Sequence, residues 1–223
     1  PLARNGRGRM QSIDWQGAMA KFVAGFRRVR DRYGPEAVAF LGTGQITCEE
    51  LAFLGALAKF GMGMADGDGN TRQCMATSVY AYKESFGFDA PPYSYTDLEL
   101  SDVVVLVGSN LCLTHPILWQ RIHGSSNKRK VIVIDPRKTE TAMAADLHCP
   151  LRPGSDLVLF YGLAKLVIEH GAVDHAYVSN HTRGFREYAR HVADFGRERV
   201  SEATGLSIAT IESLARSIAE GKR

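Results

Sequence analysis

The chain has 223 residues, 45% of them hydrophobic and 23% charged, with a formal net charge of +3. That is room for one large domain or two small ones of ordinary globular composition. The basic residues are scattered and leave no nucleic-acid footprint, and the tightest run, Lys128-Arg129-Lys130, reads as a solvated turn before a strand.

No uninterrupted apolar run is long enough to cross a bilayer, and no signal peptide is visible. The chain begins at Pro1 without a methionine and reads as a segment of a longer protein. Its four cysteines, Cys48, Cys74, Cys112 and Cys149, include no CxxC pair. A zinc ribbon, a thioredoxin motif and a complete iron–sulfur ligand set are therefore unsupported within this segment. A disulfide framework is not expected in so long and Cys-poor a chain. The default for each cysteine is a small buried hydrophobe.

In chain order, Trp15, Ala18, Met19, Phe22, Phe26 and Val29 recur at helical spacing, with Ser12 or Asp14 placed to cap and Gly34-Pro35 to stop the helix. Ala37 to Leu41 reads as a short buried strand running into Gly42-Thr43-Gly44-Gln45. A second apolar helix spans about 49–60, and a Gly-rich stretch with Gly61, Gly63, Gly67 and Gly69 leads to Asn70-Thr71-Arg72-Gln73-Cys74. The pattern predicts a helix from near Cys74 to Phe86, then a loop at Ala90-Pro91-Pro92-Tyr93. Asp102 to Val107 and Val131 to Ile134 are continuous Val/Ile runs, the mark of parallel strands buried on both faces. A helix around Ile117 to Ile122 joins them, so the unit is Rossmann-like. Leu151 to Asp156 opens an apolar helix through Ile168. The remainder is helical and ends in the stripe Ile208, Ile211, Leu214, Ala215 and Ile218, with Gly221 as its stop.

Open parallel sheets bind ligands beyond the carboxyl ends of their strands. Four segments there carry polar, small-residue chemistry: Gly42 to Gln45, Gly108 to Asn110, Asp135 to Lys138, and Gly154 to Asp156. Gly108-Ser109-Asn110 lets backbone approach a phosphate, or is simply a turn that needs glycine; the full GxGxxG of ordinary NAD sites is absent. Asp135 suits a ribose hydroxyl or a helix N-cap before Pro136, and Asp156 suits nucleotide recognition or a first-turn carboxylate. Cys74 sits beside Arg72 near a helix start, a setting that favours the metal-ligating thiolate. Chemistry alone still favours a buried structural cysteine there.

The strings carry a resemblance. Asn70-Thr71-Arg72-Gln73-Cys74-Met75-Ala76-Thr77-Ser78-Val79 resembles the molybdenum-ligand segment of the nitrate reductases in the molybdopterin oxidoreductase family. Tyr82 to Gly87, Gly108-Ser109-Asn110, His115 to Trp119, Ile134 to Thr141, and Pro153 to Asp156 are similar in order and spacing. The pattern is most similar to the assimilatory, ferredoxin-linked branch and covers nearly the whole chain. The implied architecture is α/β: Rossmann-like parallel-sheet lobes in a three-layer αβα arrangement. Residues 1–75 would belong to a first lobe carrying the metal-ligand loop, and 76–223 to a guanine dinucleotide-binding lobe.

The resemblance implies that the cofactor is bis-molybdopterin guanine dinucleotide with molybdenum, and that Cys74 supplies its protein sulfur ligand. Gln45 and Asn70 would hydrogen-bond the cofactor near the metal. Val107, Gly108, Ser109, Asn110, Leu111, Cys112, Leu113 and Thr114 would hold one dinucleotide's phosphates. Ile134, Asp135, Pro136, Arg137 and Lys138 would contact its ribose and guanine, and Gly154, Ser155 and Asp156 would complete the pocket. The family's four-cysteine motif for a [4Fe–4S] cluster, the lysine between cluster and pterin, and the part gripping the second dinucleotide are absent from this segment.

His115 is read as a structural residue before Pro116, and Cys48, Cys112 and Cys149 as packing residues. The implied activity is reduction of nitrate to nitrite by the intact enzyme, in the cytoplasm, with ferredoxin or a reductase partner as electron donor. The other partners implied are the remainder of its own chain and nitrate, with neither nucleic acid nor membrane. A related enzyme such as formate dehydrogenase, or a metal-free nucleotide-binding module, are the rival readings.

Overall fold

The computed structural model describes residues 1–124 and 129–221, so Lys128 of the basic run lies outside the described residues. The chain divides into two compact units, Pro1–Pro92 and Tyr93–Arg223. The boundary expected at 75/76 falls inside a continuous helix, Thr71–Phe86.

The first unit opens with an antiparallel pair, β1 (Leu2–Arg4) and β2 (Met10–Ser12), which has no alternating apolar pattern in sequence. Helix α1 (Trp15–Tyr33) follows, capped by Asp14, whose carboxylate accepts the Gly17 N–H at 2.7 Å. Ser12 is the last residue of β2 instead. Strand β3 (Ala39–Gly42) alternates exposed and half-buried residues, and Ala37 belongs to a single 3-10 turn before it. The buried strand expected there is thus a half-covered one.

Helix α2 (Cys48–Ala56) starts at a capping box: Thr47 Oγ1 accepts the Glu50 N–H, and the Glu50 carboxylate accepts the Thr47 N–H. It continues through a π-turn, Leu57–Gly61. The Gly-rich stretch holds a strand, β4 (Asp66–Gly69), paired in parallel with β3. Helix α3 (Thr71–Phe86) then begins three residues earlier than expected. An apolar cavity of about 680 Å³ lies between α1, β3 and α2, lined by Phe22, Phe26, Val29, Phe40, Leu54 and Met64 among others.

The second unit holds a three-stranded parallel sheet in the order β5 (Val103–Val107), β6 (Lys130–Ile134), β7 (Leu147–Cys149). Helix α4 (Tyr95–Leu100) precedes it; α5 (Leu111–Thr114) and α6 (Pro116–Gly124) join β5 to β6, and α7 (Glu140–Met143) joins β6 to β7. Then come α8 (Asp156–Glu169), α9 (His175–His181), α10 (Phe185–Val192), α11 (Arg197–Thr204) and α12 (Ile208–Glu220).

Period-2 alternation sends strand side chains to opposite faces. Ile132 and Ile134 face a core with Leu159, Leu163, Val200, Ile211 and Leu214 from α8, α11 and α12. Val104 and Val131 face the other side, with Leu111, Ile122, Leu98 and Leu118 from α4 to α6. This unit is therefore a three-layer αβα sandwich around a parallel sheet.

Arg129 and Lys130 are half-buried and engaged by the fold rather than free in solvent. The Arg129 guanidinium donates to Leu98 O at 2.8 Å and Glu99 O at 2.7 Å, and Lys130 Nζ donates to Ser217 Oγ at 2.7 Å. Leu98 and Glu99 are at the C-terminus of α4, where carbonyls lack helical partners and attract a cation. Among the described residues no helix is long and apolar enough to cross a membrane.

Candidate functional site

In the first unit Gly42 and Gly69 lie side by side at the carboxyl ends of β3 and β4. The segments that leave this edge are Thr43–Thr47 and Asn70–Cys74. Asn70 joins them. Its N–H donates to Gly42 O at 3.0 Å, and its side-chain Oδ1 accepts the Gly44 N–H at 3.1 Å. Its carbonyl accepts the N–H groups of Gln73 at 3.1 Å and Cys74 at 3.0 Å. Asn70 thus spends its side chain on the neighbouring loop rather than on capping α3.

The backbone of Cys74 is locked into the first turn of α3 while its thiol is exposed. The expected buried default is not met. Gln45, whose N–H donates to Thr43 Oγ1, is also exposed. Arg72 is committed to an ion pair with Asp68, and that guanidinium, with the Gly69 N–H, holds the Asp68 carboxyl below its ordinary range.

In the second unit Val107, Ile134 and Cys149 are in register at the carboxyl edge of the sheet. The three strand-end segments singled out in sequence leave from this one edge. Gly108 turns with φ 58, in the left-handed region that suits glycine, and donates its N–H to Ile134 O at 2.9 Å. Asn110 faces inward. Its Oδ1 accepts from Thr141 Oγ1 at 2.8 Å and Thr141 N at 3.3 Å, and its Nδ2 donates to Glu140 Oε2 at 2.8 Å.

Asp135 is buried, and its Oδ1 accepts the Arg137 N–H at 2.8 Å. This is an Asx turn; the N-cap of α7 is Thr139, four residues later. His148 Nε2 lies 2.8 Å from Asp135 O, which requires the proton on that nitrogen. The buried Ser155 hydroxyl donates to Arg152 O at 2.6 Å, and Arg152 N donates to Thr204 O at 2.8 Å, which ties this loop to the end of α11.

The candidate residues thus divide by what they can offer. Leu111 and Ile134 are core residues, so their side chains are closed to a ligand. Val107, Gly108, Leu113, Thr114, Pro136, Arg137, Lys138 and Gly154 are exposed along the edge, and Ser109, Asn110, Cys112 and Asp156 are half-buried. His115 is exposed, with Nδ1 2.9 Å from Thr114 Oγ1. Cys149 is a packing residue, its thiol pushed up to about 11 by burial. Cys48, expected to pack as well, is exposed at the first position of α2. Thr141, fully buried, and Asp68 are site residues that pattern reading misses. Thr141 stands inside a quoted string, yet only its burial and partners give it a task.

Comparison with known proteins identifies the setting. The molybdopterin oxidoreductase family model matches residues 1–211. The chain belongs to the molybdopterin oxidoreductase family. A nitrate reductase of Synechocystis sp. is 35% identical over 208 residues, covering 92% of this chain and 29% of that protein. Formate dehydrogenase H of Escherichia coli is 31% identical over 225 residues, covering 100% of this chain and 32% of that protein. The structure of acetylene hydratase from Pelobacter acetylenicus aligns with a TM-score of 0.66 and 25% identity, over 96% of this chain and 29% of that one. The chain spans less than a third of each of these proteins.

Membership in this family implies a molybdopterin cofactor, and the residues present fit one. An exposed thiol on a backbone held by Asn70 can meet a soft metal without reorganising its helix. Among the described residues no three His, Cys, Asp or Glu side chains converge on a common metal position. The edge of the second sheet offers an exposed turn at Gly108, exposed backbone at Gly154 and two exposed cations, Arg137 and Lys138, which suits phosphate and a nucleoside.

Proposed function

We propose that this chain is the cofactor-binding core of a molybdenum nitrate reductase, which reduces nitrate to nitrite in the intact protein. The observation that carries the reading is Cys74: an exposed thiol at the carboxyl edge of a parallel strand pair, within a segment that resembles the metal-ligand segment of nitrate reductases. Similarity to the Synechocystis nitrate reductase over nearly the whole chain supports it.

The bound molybdenum cofactor would supply two-electron oxygen-atom chemistry. The chain's residues bind and orient. Cys74 gives the sulfur ligand, with its backbone fixed through Asn70; Gln45 reaches the same region from the loop that Asn70 holds. Backbone N–H groups at Ser109 and Gly154 would take the phosphates of a guanine dinucleotide, with Gly108 making the turn that presents the first. Arg137 and Lys138 would neutralise them, and Asp135 and Asp156 would take ribose and base hydrogen bonds. An electron donor such as ferredoxin or a reductase partner, a [4Fe–4S] cluster outside this segment, and a cytoplasmic setting complete the proposal.

A second reading, formate oxidation, is favoured by the similarity to formate dehydrogenase H. The test is nitrate-dependent oxidation of a reduced viologen dye by the full-length protein, with formate-dependent dye reduction run alongside. Nitrate turnover that is lost in Cys74→Ala supports the proposal. Formate turnover without nitrate turnover replaces it with the second reading.

A further inference from the structure

Asn110 is the N-cap residue of the four-residue helix α5, yet it does not cap the helix with its own side chain. An N-cap side chain ordinarily accepts an N–H of the first turn. Here the acceptor comes from another loop: Thr141 Oγ1, at the start of α7, accepts the Cys112 N–H at 3.1 Å. The same hydroxyl donates to Asn110 Oδ1 at 2.8 Å, and the Thr141 N–H donates to that oxygen at 3.3 Å. Asn110 Nδ2 completes the circuit on Glu140 Oε2 at 2.8 Å, and the Cys112 thiol adds a weak donor at 3.6 Å from Asn110 Oδ1. Thr141 has no exposed surface, so water cannot replace its hydroxyl.

We propose that Thr141 and Asn110 form a clip that fixes the loop after β5 against the loop after β6, and that both act as positioning residues for the guanine dinucleotide. The inference rests on the reading of these loops as a nucleotide site. The carboxamide of Asn110 is turned into the protein by the clip, so the residue serves the ligand through the backbone it holds. The clip lets two separate strand ends present their amides at one spacing. Loss of the hydroxyl leaves the Cys112 N–H without its acceptor, and frees the two loops to move apart.

The test uses the full-length protein with Thr141→Val, which keeps the shape, and Thr141→Ser, which keeps the hydroxyl. Two quantities are read: hydrogen exchange of the Leu111–Thr114 amides, and the rate at which bound guanine nucleotide, assayed as GMP after acid hydrolysis, is lost on dilution. In Thr141→Val both should speed by about ten-fold or more, the size of one buried hydrogen bond left unmade, and Thr141→Ser should restore them. Exchange as slow as wild type in Thr141→Val overturns the clip. Equal acceleration in both variants also overturns it, because packing rather than the hydroxyl would then hold the loops. A wild-type protein without guanine nucleotide refutes the proposed function instead, and the exchange comparison alone then decides the clip.

Discussion

Gly162, in the middle of α8, sits against Val200 of α11. A Cβ at Gly162 would meet Val200 Cγ2 at 2.4 Å and its Cβ and Cγ1 at 3.4 Å. The first distance is about 1 Å inside ordinary carbon–carbon contact. Val200 is wholly buried and its β-branched χ1 is stiff, so it has no room to swing away. Overpacking costs about 1–3 kcal/mol, and so close an approach to a stiff, buried partner belongs in the upper part of that range, about 2–3 kcal/mol, against about 1 kcal/mol gained by replacing a helical glycine with alanine. Gly162→Ala should therefore destabilise α8 by roughly 1–2 kcal/mol, a 5- to 30-fold loss of exchange protection. Hydrogen exchange of the α8 amides in the full-length protein measures it. The partner variant Val200→Ala should be destabilising alone, and should make Gly162→Ala neutral or favourable in its background. Because Arg152 bonds the end of α11, the loop that carries Gly154 to Asp156 should loosen with the single variant. Unchanged α8 protection in Gly162→Ala would mean that α8 and α11 have room for the added methyl and that Val200 does not fix this position.

Asn70→Ala should lower protection of the Gly44 amide by about 0.5–1.5 kcal/mol, one net hydrogen bond, and unchanged exchange at Gly44 would discard the brace. The raised thiol of Cys149 predicts that its own contribution to stability is flat below pH 9 and falls as pH climbs from 9 toward about 11, because the unfolded chain gives up that proton first. Cys149→Ala should remove that contribution, and native alkylation should reach Cys48 but not Cys149. Asp68 runs the opposite way: its carboxyl is held below 3.8 by Arg72 and Gly69, so its contribution is present above that value and lost as pH drops through the lowered one. The acid loss of exchange protection at Gly69 to Cys74 should be absent in Asp68→Asn.

The legible parts of the fold are those written in periodicity. Val103–Val107 and Val131–Ile134 are unbroken apolar runs dominated by β-branched residues, and the structure pairs them in parallel with helices on both faces. The stripe at Ile208, Ile211 and Leu214 is an amphipathic helix with Ser207 as its cap. Strand β4 could not be read, because Asp66-Gly67-Asp68-Gly69 has no strand propensity and exists through its pairing with β3. Strand β7 is three residues long, too short for a period.

Apolar stripes also say nothing of how well they are covered. No residue of α1 is buried despite its helical stripe, and Phe60 is 89% exposed. At the site, the loops could be placed on one sheet edge from strand order alone, but the direction of each side chain could not. Asn110 and Ser155 look like ligand donors in sequence and are engaged inside the protein. Thr141 looks like a loop residue and is fully buried.

In the proposed site Cys74 is the protein sulfur ligand of molybdenum. X-ray absorption at the molybdenum edge of the full-length protein tests it, wild type against Cys74→Ser. The first shell is expected to lose one sulfur neighbour and gain an oxygen in the variant. A shell unchanged between the two proteins would contradict it.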